Sequence, residues 1–196
     1  MLELNNFYFS YDLAGYIFLN PSLSVKDFDD SCEFKKIKSK IKVQLNREQD
    51  GLCVYCERKL DKDKGQIEHI KPKSGRTPYP HLCFQYSNYA HSCINPKTCG
   101  QKKKDGILPI EPKIGCNDKF SLLTDGTILP IKGLTRREKH LVIQTRDMLG
   151  LNTETLRLER EKVIKTYTTF LQNDFLMAKK FIKEEAFRDI IKKVIE

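Results

Sequence analysis

The sequence predicts an α+β protein: a small metal-stapled module with short strands, flanked by helices and followed by a helical C-terminal region. Three observations carry this. Cysteines and histidines cluster in residues 52–105, among short strand-like pieces and turn residues. Apolar residues at helical spacing lead up to that cluster, and the same spacing resumes after it. The expected divisions are therefore 1–50 (an N-terminal segment and helix), 51–135 (the cluster) and 136–196 (helices).

Residues 1–25 mix Phe7, Tyr8, Phe9, Tyr16 and Phe18 and end near Pro21, without a pattern that assigns an element. From about Asp27 to Glu48, Phe34, Ile37, Ile41 and Leu45 fall on one helical face with lysines opposite, and Asp50-Gly51 ends the helix. Gln66 to Ile70 reads as a short strand, and the prolines from Pro72 to Pro80 mark a loop. Residues 106–135 read as extended, turning at Asp125-Gly126. From Arg136 the pattern is helical, with Leu141, Thr145, Met148 and Leu149 on one face. Asn152 or Thr153 caps the next helix, which carries Leu156, Leu158, Val163, Ile164 and Phe170. A last amphipathic segment holds Phe175, Phe181, Ile182, Phe187, Ile190, Ile191 and Ile195.

The composition, 39% hydrophobic and 31% charged over 196 residues, is that of a soluble globular chain. No apolar run reaches the roughly 20 residues that span a bilayer, and the first residues lack a signal-peptide pattern, so a cytoplasmic protein is expected. The net charge is +9, and residues 51–135 hold 14 basic against 8 acidic side chains, which suits a polyanion such as nucleic acid. Seven cysteines, an odd number without an export signal, argue for metal binding over a disulfide framework.

Cys53-Val54-Tyr55-Cys56 presents two thiolates from one knuckle. Tetrahedral zinc needs two more ligands, and Cys93 and Cys99 are the natural pair, with His91 as a fallback. Zinc closed in by four cysteines is structural. Cys32, Cys83 and Cys116 lack partners at useful spacing and read as ordinary buried thiols.

Between the cysteine pairs lies Glu68-His69. In a regular strand the two side chains point to opposite faces; at a strand end or bulge they can converge on one phosphate. The carboxylate can hold a hard cation, Mg2+ or Mn2+, and a neutral imidazole can take a proton from water.

The frame Cys53-x-x-Cys56, Glu68-His69-Ile70-x-Pro72, Asn88, Cys93 to Cys99 and Lys103 resembles the HNH nucleases, of the treble-clef ββα-metal class. The resemblance extends to a bacterial branch that includes PtuB, the HNH component of Septu and some retron anti-phage systems. It rests on Gln49-x-Gly51-Leu52-Cys53-x-Tyr55-Cys56-Glu57, Glu68-His69-Ile70-x-Pro72-Lys73-Ser74, Tyr86-Ser87-Asn88-Tyr89, Ser92-Cys93 and Cys99-Gly100. Asp125-Gly126-x-Ile128-x-Pro130, Leu149-x-Leu151-Asn152, Leu156 and Arg160 continue it.

The resemblance implies an endonuclease, with His69 as general base, Glu68 as a ligand of the catalytic cation and Asn88 holding the loop that orients the imidazole. His69 is expected at the end of a hairpin strand, facing a helix that begins near Cys99. Cleavage is then expected to rise through about pH 6.5 unless the site shifts the imidazole. One departure stands out. Many HNH nucleases carry Asn or His after the last zinc cysteine as the cation's other ligand, and here that residue is Gly100. Gln101, Asp105 and His91 are the substitutes. Lys71, Lys73, Arg76, Lys102, Lys103 and Lys104 are candidate phosphate contacts. The resemblance also implies a partner, an ABC-type ATPase resembling PtuA, on which the helices after residue 136 could dock unless they cover the module's own core. DNA is the substrate the family suggests. RNA, including transfer RNA, fits the same site, and a non-catalytic zinc-knuckle binding module is the alternative of another class.

Overall fold

The computed structural model describes residues 1–4 and 9–195, without the side chains of 184 and 192–195. Phe7, Tyr8 and the side chain of Ile195 lie outside the described residues. The chain begins with helices α1 (Tyr11–Leu19), α2 (Val25–Asp30) and α3 (Cys32–Glu48). Strands β1 (Gln66–His69) and β2 (Tyr89–Ser92) follow, then the short helix α4 (Cys99–Lys103). A second hairpin, β3 (Phe120–Leu122) and β4 (Ile128–Pro130), leads to α5 (Arg136–Met148), α6 (Glu154–Asn173), α7 (Phe175–Glu184) and α8 (Arg188–Ile195). Both strand pairs are antiparallel, and in the first Gln66 faces Ser92 and His69 faces Tyr89. No helix among the described residues is long and apolar enough to cross a membrane.

The single helix expected from Asp27 to Glu48 is two. Ser31 breaks it with an extended ψ of 121°, and its hydroxyl accepts the Phe34 N–H at 3.2 Å, capping α3. Ser24 and Asp27 form a capping box at the start of α2. The periodicity saw α3's buried face, Phe34, Ile41 and Leu45, but ran through a residue that serves as a cap. Leu158, expected on the apolar face of α6, is exposed, because it sits about 200° around the helix from buried Leu156. Cys32 is also exposed, while Cys83 and Cys116 are buried thiols as expected.

Two apolar clusters organise the fold. Leu13, Tyr16, Phe28, Phe34, Ile41 and Leu45 of α1 to α3 pack with Cys83 and Tyr89. The larger cluster joins residues of the cysteine region (Leu52, Val54, Ile70) to the second hairpin (Phe120, Ile128) and to α5, α6 and α8 (Val142, Leu156, Ile164, Ile191). The C-terminal helices thus share a core with the cysteine region.

A polar clasp fixes the second hairpin to α6. Gly126, at φ +79°, lets the turn approach α6 so closely that a Cβ there would stand 2.1 Å from the Arg157 carbonyl oxygen. The buried Arg160 donates from Nε to the Gly126 carbonyl at 2.7 Å and from Nη2 to the Leu151 carbonyl at 2.6 Å. The Asn152 side chain pairs with both backbone groups of Ile128, at 2.9 Å each. Arg160→Met would leave two buried carbonyls without donors. It is expected to lower the unfolding free energy by about 3 kcal/mol, read from denaturant melts, without loss of bound metal.

Candidate metal centre and active site

The Cys53 and Cys56 thiols stand on a tight knuckle closed by hydrogen bonds from the Cys53 N–H to the Arg58 carbonyl and from the Glu57 N–H to the Cys53 carbonyl. Glu57 takes a left-handed φ of +59° to make that turn. Cys93 leaves the end of β2, and Cys99 opens α4, also left-handed at φ +57°. The four sulfurs lie within 4.8 Å of one another, with Cys53 to Cys99 at 3.8 Å and Cys56 to Cys93 at 3.9 Å. Four sulfurs about 2.3 Å from one tetrahedral ion stand about 3.8 Å apart, so the donor set and its spacing fit a single metal ion. Burial alone would raise the Cys53 thiol. Hydrogen bonds from Cys56, Cys93 and Cys99 outweigh it and hold that thiol well below its usual range, while the same bonds push Cys56 and Cys99 up: the four crowded thiols cannot all keep their protons alike. The Cys93 N–H also points at the Cys53 sulfur, at 3.3 Å. His91 is not a fifth donor. Its Nε2–H bonds the Lys64 carbonyl at 2.6 Å and its Nδ1 meets the Asn46 amide at 3.1 Å, so both ring nitrogens are engaged.

Strand β1 stays regular to its end, and Glu68 and His69 leave it on opposite faces. His69 faces α2, not α4 as expected. Its ring packs edgewise against Phe28 (centroids 4.6 Å apart) and Tyr89 (5.1 Å). Its Nε2 lies 3.0 Å from the Cys83 carbonyl oxygen. A carbonyl can only accept, so Nε2 carries the proton and the lone pair is on Nδ1. Among the described residues Nε2 is the ring nitrogen with a hydrogen-bond partner. Asn88 supports this arrangement from behind. Its Oδ1 accepts the Lys71 N–H at 2.8 Å, and its Nδ2 donates to the carbonyls of Lys71 at 3.0 Å and Leu82 at 3.2 Å. It therefore ties the end of β1 to the residue before Cys83, whose carbonyl aligns the imidazole. Burial, with the cations of Lys73 and Lys103 assisting and the Cys83 bond opposing, pulls His69 down from 6.5 to about 4. The ring is neutral from there upward, well below the pH 6.5 expected of an unperturbed imidazole.

Glu68 faces α4, and there its carboxylate is already satisfied. Lys103 Nζ stands 2.9 Å from Oε1, with both side chains buried. The Tyr55 hydroxyl donates to Oε1 at 3.2 Å and the Gln66 amide to Oε2 at 3.2 Å. Burial raises the Glu68 carboxyl, and Lys103 opposes it. Neither expected partner for a divalent cation reaches Glu68. Gln101 donates to the Gln66 side chain, and Asp105 accepts the Arg76 N–H at 3.0 Å in the loop after Pro72. Among the described residues, the one cluster of three or more potential ligands is the four cysteines. The residues around Glu68 do not fit a divalent cation.

Lys103, expected among the phosphate contacts, is buried in that ion pair, while Lys102 and Lys104 are exposed. Lys71 is half-exposed, near Glu111 and the Tyr79 ring. Lys73 pairs with Asp29 and stands 5.3 Å from the centre of the Phe28 ring that covers His69. Lys38 of α3 stands 4.0 Å from the same centre. Two lysines thus flank the ring beside His69. Phe28, Asp29, Lys38 and the Cys83 carbonyl were not legible as site groups. A backbone carbonyl has no sequence signature, and the other three come from helices assigned to a separate segment.

No protein-family model matches the chain. The chain is 46% identical, over 193 residues, to a protein of Vibrio cholerae serotype O1 biovar El Tor whose name assigns it as an HNH endonuclease of the retron Vc95. The match covers 93% of this chain and 94% of that protein.

Two outcomes are expected of this geometry. Metal analysis of purified protein should give about one tightly held ion per chain, and Cys53→Ser should lose it together with solubility or cooperative melting. The second concerns acid stability. As pH falls, the unfolded chain takes up the His69 proton near 6.5 and the folded chain near 4. Stability is therefore full above about pH 6.5 and declines toward pH 4, by about 3 kcal/mol from this group. In His69→Gln the slope of unfolding free energy against pH across that window should flatten; an unchanged slope would mean another group carries it.

Proposed function

Because the chain belongs to the HNH endonuclease family, in a retron context, we propose that it hydrolyses phosphodiester bonds of nucleic acid with His69 as general base. The observation that carries this is the imidazole itself: neutral and fixed through Nε2–H on the Cys83 carbonyl, which leaves the lone pair on Nδ1. In this reading β1, β2 and α4 are the ββα-metal unit of a treble clef, set in residues 51–135. The four cysteines hold Zn2+, which staples the unit and leaves no open position for chemistry.

Nδ1 takes one proton from a water molecule as the water oxygen attacks phosphorus. The bond from phosphorus to the leaving oxygen breaks, and that oxygen takes a proton from solvent. Lys73 and Lys38, beside the imidazole, offset the charge that builds on the phosphoryl oxygens. Lys71, Lys102 and Lys104 hold the flanking phosphates. Asn88 keeps the imidazole in register through the loop of Leu82 and Cys83. No step runs through a Mg2+ or Mn2+ ion at Glu68, where the carboxylate is already engaged by Lys103.

DNA is the substrate suggested by the family. RNA, including transfer RNA, is the alternative substrate; there the 2′-hydroxyl takes the place of water, giving its proton to Nδ1 as its oxygen attacks phosphorus. The retron context supports a role as nuclease effector of an anti-phage defence complex in the cytoplasm, with an ABC-type ATPase as partner.

The test is cleavage of supercoiled plasmid DNA and of transfer RNA by the parent and His69→Ala, each alone and with the neighbouring encoded ATPase. His69→Ala should retain its metal and fold and lose at least about a hundredfold in rate. Equal rates would place the base elsewhere. No cleavage of either substrate in any combination would leave the zinc-knuckle binding module as the better account.

A further inference from the structure

We infer that Lys103 fills the cation position of this site: its ammonium, held between Glu68 and a ring of backbone carbonyls, stands where the HNH frame would place a divalent ion. The inference rests on the nuclease reading only for the frame with which the site is compared.

The ammonium is caged by oxygen. Besides Glu68 Oε1 at 2.9 Å, Lys103 Nζ meets the carbonyls of His69 at 3.1 Å, Ile70 at 3.5 Å, Lys104 at 3.4 Å and Gly106 at 3.4 Å. The two side chains are 1% and 7% exposed. A buried ammonium persists only with such a set of acceptors, because an unpaired one is strongly disfavoured away from water. The acceptors come from both sides of the fold. His69 and Ile70 end strand β1, and Lys104 and Gly106 follow α4. Lys104 takes a left-handed φ of +53°, which stops α4 one turn after Cys99. Lys103 lies four residues after Cys99, so α4 presents the metal-cage sulfur and the ammonium along one side.

The position of the missing ligand is crowded as well: a Cβ built on Gly100 would stand 2.2 Å from Glu68 Oε2 and 2.7 Å from the Gln66 amide nitrogen, so a side chain there requires both of those side-chain ends to shift. The Asn or His of the family frame could not enter without displacing the carboxylate. Gly100 brings no ligand to Glu68, while Lys103, a residue of the shared frame, brings a positive charge to the same carboxylate from within the chain. A divalent ion on Glu68 would stand close to the buried ammonium and be repelled by it, with Glu68 as the one carboxylate to offset both charges. The ammonium holds the carbonyl of His69 itself, so it also fixes the backbone that carries the proposed base.

The test uses the full chain with its cysteine-bound metal in place. Mn2+ is titrated into the parent and followed by electron paramagnetic resonance and by paramagnetic broadening of the His69 ring protons. The parent should give no bound Mn2+ with a dissociation constant below about 1 mM and no selective broadening. One Mn2+ per chain that broadens the His69 signals would overturn the inference. This measurement needs no variant, so it decides even where variants fail to fold. Glu68→Gln, Lys103→Met and the double variant then test the pairing. Each single variant leaves one buried partner uncompensated and should melt lower than the double variant, which removes both charges. A double variant no more stable than either single would also count against the pair. The cleavage test of His69→Ala is independent of both results, so failure of the nuclease reading and failure of this inference can be told apart.

Discussion

Four sulfurs from two distant stretches of chain must meet at one point, and most of the site depends on that meeting. Cys53 and Cys56 precede β1, Cys93 follows β2 directly, and Cys99 starts α4. The strands they bracket have four residues each and the helix five. Elements this short are not stable alone: an isolated two-stranded hairpin is marginal and a single helical turn does not nucleate in water. A metal ion held by the four sulfurs would supply the missing constraint. It would set the register of β1 on β2 and the start of α4, and through them the faces on which His69 and Glu68 emerge.

The two faces are then built in opposite ways. The His69 face is aromatic, with Phe28 and Tyr89 around the ring and lysines at its edge. Burial there removes the imidazole's charge and leaves it a base. The Glu68 face is ionic and closed, and burial there is tolerated because Lys103 answers the carboxylate. Adjacent residues on one strand thus enter different surroundings, one packed under α2 and the other facing into the joint between β1 and α4.

Much of this was legible in the sequence, for identifiable reasons. The cysteine pairs carry their chemistry in residue type and spacing, and the structure brings the same four together. The α+β class, the turn at Asp125-Gly126 and the helices after Arg136 followed from periodicity and turn residues. Ser31 was missed because a capping serine looks like any polar residue on a lysine-rich face. The direction of His69 was missed because a two-residue motif does not say which helix lies on which side of its strand. Lys103 was read as a phosphate contact together with its neighbours because a lysine run does not show which of its members turns inward. Only the carbonyl cage, made of backbone, distinguishes it from exposed Lys102 and Lys104.

The pairing of Lys73 with Asp29 sets a condition on anything that binds beside His69. Asp29 is tethered to the same chain, so Lys73 sees its carboxylate at a high effective concentration. A single phosphate group must compete against that tethered anion for one lysine. A polynucleotide escapes the handicap, because its neighbouring phosphates engage other lysines at once and raise the local concentration of the group that must win. On the proposed nuclease reading, the face would therefore favour a polymer over a mononucleotide.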